Sequence, residues 1–401
     1  MSSLFASVEL APRDPILGLT EQYNADTRPG KTNLGVGVYY DDAGRIPLLQ
    51  CVRKAEAARI EAAAARGYLP IDGIPGYNKA AQELLLGKDS TLAAEGRVLT
   101  VQALGGTGAL KIGADFLRKL LPEAKAAISD PSWENHRALF ERAGFEVVAY
   151  RYYDPATHGL DFAGMLASLR ELPKRSVVVL HACCHNPTGV DPTAEQWGEI
   201  VRAVKERELV PFLDIAYQGF GDGLVEDSAV VRLFAQQGLT MLISSSFSKS
   251  FSLYGERVGA LTIVAGDKDE GARVLSQLKR VIRTNYSNPP THGGTVVSTV
   301  LNSPELFALW DRELGEMRER IRLMRRQLVD KLKERGVAQD MEFVARQRGM
   351  FSYSGLNAAQ VERLREEHAI YAISSGRICV AALNSGNIDH VADGIAAVMK
   401  A

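Results

Sequence analysis

Between about residues 97 and 265, short apolar runs rich in β-branched residues alternate with longer segments whose apolar positions recur every three or four residues. The runs at 98–103, 126–129, 146–150, 176–181, 210–214, 241–245 and 258–264 predict seven strands. The stretches 108–121, 133–143 and 193–207 each carry one apolar stripe and predict helices. Such alternation predicts an α/β fold around a mainly parallel sheet with helices on both faces. Beyond it lie a long charged helix (304–335), a strand (349–354), a helix (358–368), a strand (377–382) and a terminal helix (387–400). This second block predicts a smaller α+β domain completed by the N-terminal segment. The expected division is 46–310 for the large domain, with 1–45 and 311–401 forming the small one. A cleft between two such domains would enclose a substrate.

Composition narrows the classes of partner. The chain has 401 residues, 46% hydrophobic and 24% charged, as expected of an ordinary globular protein. Its formal net charge of −1 offers no basic surplus for nucleic acid or an anionic membrane, so neither partner is expected. Four cysteines (Cys51, Cys183, Cys184, Cys379) lack zinc-ligand or disulfide spacing and read as small buried thiols. The start, Met1 to Pro15, carries Glu9, Arg13 and Asp14 and no charged-then-apolar leader layout. No run of about 18 apolar residues is present either. A cytoplasmic location is expected.

In a parallel sheet, ligands bind beyond the carboxyl ends of the strands, and the chemically informative residues fall there. Lys249, in Ser246-Phe247-Ser248-Lys249, is followed by Arg257. An amine beside hydroxyls and an arginine suits an imine-forming lysine next to a phosphate clamp, the pair of features that pyridoxal 5'-phosphate requires. Gly105-Gly106-Thr107-Gly108 between a strand and a helix suits a phosphate cradle or a plain glycine turn. A dinucleotide fingerprint fails, because Lys111 occupies its third glycine position. Asp214 and Tyr217 close another apolar run, and a buried carboxylate there is either paired or functional. Asn186, in His185-Asn186-Pro187-Thr188-Gly189, adds a neutral donor within turn formers. Trp133 and His136 open a predicted helix, as a ring to stack and an imidazole to support a carboxylate, or as core residues. Arg377 and Arg283 have the fork that grips carboxylates, and either also suits a surface ion pair. The Ser246-x-x-Lys249 spacing matches serine acyltransferases as well, but the Lys-Thr-Gly partner of that reading is absent.

These motifs, with Trp133-Glu134-Asn135-His136 and Asp214-Ile215-Ala216-Tyr217-Gln218-Gly219-Phe220, resemble fold-type I, pyridoxal-phosphate-dependent aminotransferases of the aspartate/aromatic subgroup. The bacterial aromatic-amino-acid (tyrosine) branch is the most similar. The resemblance runs from Asp14-Pro15-Ile16-Leu17 to the C-terminal helix. It implies a large domain with a mainly parallel seven-stranded sheet plus a smaller α+β domain. It further implies that Lys249 is the Schiff-base and proton-shuttle residue. Asp214, supported by His136, would face the pyridine nitrogen, while Tyr217 and Asn186 would face the phenolic oxygen. Gly106, Thr107, Ser246 and Arg257 would hold the phosphate, joined by Tyr68 of the neighbouring subunit, with Trp133 stacked on the ring. Arg377 would take the α-carboxylate and Arg283, again from the neighbour, the substrate side chain. Gly37, Tyr40 and Ile46 would line the substrate side with Trp133 and Asn186. Sites shared in this way imply a homodimer.

The implied reaction is ping-pong transamination of aromatic L-amino acids, with aspartate and glutamate, against 2-oxoglutarate. The alternative is an aspartate aminotransferase with little aromatic activity. Tyr40, Ile46, Glu134 and Ser252-Leu253-Tyr254-Gly255 resemble the aromatic branch, whereas Val38, Thr107 and Asn288 resemble the aspartate branch. An apolar entrance at Tyr40 and Ile46 favours aromatic rings by about 1–3 kcal/mol.

Overall fold

Seven strands form one sheet: β1 (Val98–Leu104), β2 (Lys125–Asp130), β3 (Glu146–Arg151), β4 (Val177–His181), β5 (Val210–Ile215), β6 (Met241–Ser246) and β7 (Val258–Val264). The computed structural model describes residues 3–11 and 16–400. Met1, Arg13, Asp14 and Pro15, used in reading the N-terminus and the start of the family resemblance, lie outside the described residues. The strand order is β1-β7-β6-β5-β4-β2-β3. All neighbours are parallel except β7, which is antiparallel to both β1 and β6.

Strands β4, β6 and β7 are buried at every position, which suits sequences that stay mostly apolar until the polar residues at the ends of β4 and β6: helices cover both faces. Side-chain alternation then divides the core. Val177 and Val179 of β4, with Phe212 and Leu242, join one cluster that includes Leu110 and Ile112. Val178 and Leu180, with Leu213 and Ile243, join the opposite cluster with Ile200, Phe234 and Trp310.

The helices predicted between the strands are present as α1 (Gly105–Leu120), α2 (Glu134–Arg142) and α3 (Ala194–Glu206). A capping box of Thr193 and Gln196 starts α3. Helix α1 begins three residues earlier than the apolar stripe predicts, so the glycine turn is its first turn. Helices at Gln50–Glu61 and Pro75–Leu86 are additions to the predicted set. The first buries only Cys51, Val52 and Ala55, a weak stripe in an alanine-rich stretch. Two more additions, α4 (Lys268–Asn285) and α5 (Thr291–Asn302), precede the long helix α6 (Pro304–Glu334).

Ser303 caps α6, and Pro304 at its first position needs no amide partner. Trp310 near its start donates Nε1–H to the carbonyl of Ser250 at 2.7 Å, just past β6. Near its end, Lys331 and Arg335 pair with Asp389 of the C-terminal helix α8 (Ile388–Lys400). Helix α7 (Ala358–His368) lies between them in sequence, as predicted. Strands β8 (Phe351–Tyr353) and β9 (Arg377–Cys379) pair antiparallel, with Tyr353 opposite Arg377. The predicted strand 377–382 ends early because Val380–Ala382 coils into a 3₁₀ turn. Thr32 and Asn33 pair with Ile370 and Tyr371, tying the N-terminal segment to the C-terminal part. All four cysteines are buried and free. No helix among the described residues is long and apolar enough to cross a membrane.

Gly259 of β7 lies where the start of α1 crosses the sheet. A methyl group there would press on the Gly105 carbonyl carbon and sit 2.7 Å from the carbonyl oxygens of Gly105 and Ser245. Backbone on both sides cannot yield as a side chain can. Gly259→Ala is expected to cost about 1–3 kcal/mol of stability, read as a lower midpoint in denaturant unfolding.

Candidate active site

Strands β1, β4, β5 and β6 end around one cavity of about 240 Å³, and β7 begins there. Because β7 runs against its neighbours, its first residues reach the edge where β1 and β6 finish. Val258 pairs with Leu104 and Gly259 with Ser246, so Gly105, Ser246 and Arg257 converge. Gly105 has φ +68°, and a Cβ there would lie 2.6 Å from Arg257 Nη2, so the turn requires glycine. The first turn of α1 points amides and the positive end of its dipole at this corner, while Gly106 and Thr107 line the cavity. Ser246 Oγ lies 3.2 Å from Ser248 Oγ, which lies 3.5 Å from Arg257 Nη1. Free amides, hydroxyls and a guanidinium on a cavity wall make a phosphate cradle.

Across the cavity, Asp214 closes in from β5. Its Oδ2 is 2.9 Å from His136 Nε2, and His136 Nδ1 is 3.0 Å from Ser132 Oγ. Burial pushes the Asp214 carboxyl up, but the His136 hydrogen bond and the attraction of nearby side chains, Lys249 among them, outweigh it. The net shift is downward, so Asp214 remains an anion. Trp133, just before α2, presents an edge to His136 at 5.2 Å between ring centroids and lines the same cavity.

Lys249 is partly open to the cavity, and its Nζ stands 5.0 Å from the Tyr217 ring centroid. Desolvation lowers its pKa to about 8; Asp214 opposes that shift and Arg257 adds to it. Burial holds the Tyr217 hydroxyl well above its ordinary range, leaving it a proton donor. Arg377, buried on β9, donates Nη1–H to Asn186 Oδ1 at 3.1 Å and Nη2–H to the Gly35 carbonyl at 2.6 Å. Its guanidinium lies 4.4 Å from the Phe351 ring centroid, and its Nε–H has no hydrogen-bond partner among the described residues. Gly37 borders the same space; a Cβ there would meet the Phe351 ring at 2.6 Å.

Thus Gly37, Gly106, Thr107, Trp133, Asn186, Asp214, Tyr217, Ser246, Lys249, Arg257 and Arg377 line one cavity. His136 supports it from behind. Four further candidates stand elsewhere in the chain. Tyr68 is 98% exposed, Ile46 is exposed, and Arg283 at the end of α4 is exposed and bonded to Ser287. Tyr40 faces a neighbouring cavity with Tyr23 and Asn384.

The cavity also has walls that the motifs did not mark. Phe351 and Leu110 read as core residues, and no sequence signal distinguishes them from core. His181 ends β4 with both ring nitrogens lacking a hydrogen-bond partner among the described residues, and burial lowers its pKa to about 3. Its place at the carboxyl end of a strand was the available signal. Tyr254, whose hydroxyl accepts the Tyr39 amide at 2.9 Å, lines the cavity from within the Ser252–Gly255 stretch.

A low-pKa amine, a paired carboxylate and a phosphate cradle in one cavity fit pyridoxal phosphate. The Lys249 shift has a testable sign. Its folded pKa of about 8 lies below its ordinary 10.5, so between these values the unfolded chain holds a proton that the folded chain has released. Stability of cofactor-free protein therefore gains from Lys249 as pH rises through that window. Denaturation of the cofactor-free parent and Lys249→Met across the window should show the parent gaining relative to the variant. A constant difference would contradict the shift.

An aspartate aminotransferase of Pseudomonas aeruginosa is 67% identical over 397 residues, spanning 99% of this chain and all of its own. A crystal structure of an aromatic-amino-acid aminotransferase from Burkholderia pseudomallei, covalently bound to pyridoxal phosphate, superposes with a TM-score of 0.97 at 68% identity. The match covers 99% of this chain and 100% of that one. An aromatic amino acid aminotransferase from Psychrobacter sp. B6, cocrystallised with aspartic acid, matches at TM-score 0.97 and 47% identity over 99% and 100% of the two chains. The sequence pattern of aminotransferase class I and II matches residues 29–395, and the chain belongs to that family.

Proposed function

We propose that this pyridoxal-phosphate-dependent aminotransferase acts on aromatic L-amino acids, tyrosine and phenylalanine, and also on aspartate and glutamate, with 2-oxoglutarate as acceptor. The observation that carries the reading is the meeting of Lys249, the Asp214–His136 pair, the Gly106/Ser246/Arg257 cradle and Arg377 in one cavity. Dual specificity draws support from relatives of nearly equal identity, one named for aspartate and the other for aromatic amino acids.

Bound pyridoxal phosphate supplies an aldehyde that takes up the amino group and a ring that accepts electron density. The residues around it do the rest. Gly106, Thr107, Ser246 and Arg257 would anchor the phosphate, and Asp214 would offer its negative charge to the ring nitrogen. The Tyr217 hydroxyl and Asn186 side chain would donate toward the phenolic oxygen, and Trp133 would cover the ring. Arg377 is held by Asn186 and the Gly35 carbonyl and grips the substrate α-carboxylate. That grip aims the Cα–H at Lys249. With a pKa of about 8, Lys249 has a neutral fraction near neutral pH that takes the proton from Cα.

Tyr68 and Arg283, exposed in one chain, complete the partner's site in a homodimer under this reading. The proposed division is a large domain of 46–310 and a small domain of 1–45 with 311–401, in a cytoplasmic enzyme.

Stopped-flow mixing of cofactor-loaded protein with tyrosine, phenylalanine and aspartate tests the specificity. Rapid loss of the cofactor's aldehyde-form absorbance with all three is expected; conversion by aspartate alone would leave the alternative, an aspartate aminotransferase. Lys249→Ala should fold normally and lose about 10²–10⁴-fold or more in turnover. Near-parental turnover would remove Lys249 from the mechanism.

A further inference from the structure

A second cavity, of about 400 Å³, is lined by α6, by the segment leading into β8 and by the loop 220–222 after β5. That volume falls within the ~300–1,000 Å³ usual for small-molecule sites. Five arginines line it: Arg322, Arg325, Arg326, Arg346 and Arg348, with Asp222 as the lone acid among the described lining residues. Asp222 is shared, 2.8 Å from Arg322 and 2.6 Å from Arg348. Outside the lining, Glu319 pairs with Arg322, while Asp330 and Glu342 pair with Arg326. These acids leave Arg325 and Arg346 without an ion pair among the described residues; Arg346 feels Glu342 only at longer range.

Arg325 is the telling member. It is 3% exposed, and its bonds go to neutral acceptors: the Ser352 hydroxyl at 3.3 Å and the carbonyls of Gly349 at 2.6 Å and Phe351 at 3.2 Å. A buried guanidinium ordinarily has a carboxylate beside it, because the desolvation of a lone charge is costly. Here burial, with a smaller contribution from neighbouring Arg322, lowers its pKa to about 10. The protein leaves this charge uncompensated, and it borders an open cavity.

We propose that this cavity binds a compact oxyanion, phosphate or a short dicarboxylate, held by Arg325 within and by Arg346 and Arg348 at the exposed rim. Guanidinium N–H groups match the oxygens of either ligand; Arg325 spends Nε and Nη2 on protein acceptors and keeps Nη1 for the anion, while Arg346 keeps its whole fork. None of these three arginines belongs to the proposed catalytic machinery, so occupancy is measurable apart from turnover.

Calorimetric titration of the holoenzyme with inorganic phosphate, and separately with succinate, tests the site against chloride at matched ionic strength. Succinate can also enter at Arg377, so each titration is repeated on the Arg346→Ala/Arg348→Ala variant, which keeps Arg377. The expected result is saturable binding in the parent, for at least one of the two anions, that weakens about tenfold or more in the variant. The anion that shows this loss identifies the ligand class. Equal affinities in parent and variant, or no saturable binding of either anion, would overturn the proposal. Arg346→Gln, which removes a side chain without a protein ion pair, serves for the comparison if the double variant loses its fold.

Discussion

The reversed direction of β7 is the constraint on which the site depends. In an all-parallel sheet, a strand preceded by Arg257 would deliver that residue to the far edge, away from Ser246 and the start of α1. Running antiparallel between β1 and β6, β7 starts where they stop. Close approach follows at the cost of side chains: Gly259 and Gly105 have no room for a Cβ, because backbone or the Arg257 guanidinium already fills it. The phosphate end of the cavity is thus a product of topology before it is one of residue type.

Electrostatics shape the opposite end. Asp214, Lys249 and three buried histidines crowd one region, where each charge is sustained by another or given up. Asp214 keeps its charge through His136. Lys249 yields part of its own, toward about 8. His181 and His185 stay neutral because burial dominates, and His185 is fixed by Ser129 and Thr188 while stacking on Tyr152. One persistent anion beside one readily deprotonated amine is the condition that imine and proton chemistry needs.

Arg377 joins the two parts of the molecule at this point. It arises on β9, yet its hydrogen bonds reach Asn186 beyond β4 and the Gly35 carbonyl of the N-terminal segment. Phe351 of β8 packs beneath it and edges against Tyr217. The residues proposed to hold substrate and cofactor are thereby mechanically connected. Helix α6 reinforces the junction, bonded through Trp310 to the strand-end carrying Lys249 and through Arg335 to α8.

The sequence alone determined local structure and much of the chemistry. All seven strands lie within one residue of their predicted limits, because buried apolar runs and their bounding turn residues are local signals. Lys249, Asp214, Asn186 and Arg257 stood out because functional side chains at strand ends interrupt an apolar pattern with polar groups. The glycine turn was legible for the same reason, though its helix began earlier than the stripe suggested. Only the tertiary structure decided the strand order and the reversal of β7, since pairing partners are distant in the chain and leave no local pattern. It alone decided that Phe351 and His181 wall the cavity and that Tyr40 faces a neighbouring one. It alone brought five arginines from two segments around one space, leaving Arg325 buried without a carboxylate. Periodicity records whether a residue is covered; which residue covers it is set by how the elements pack.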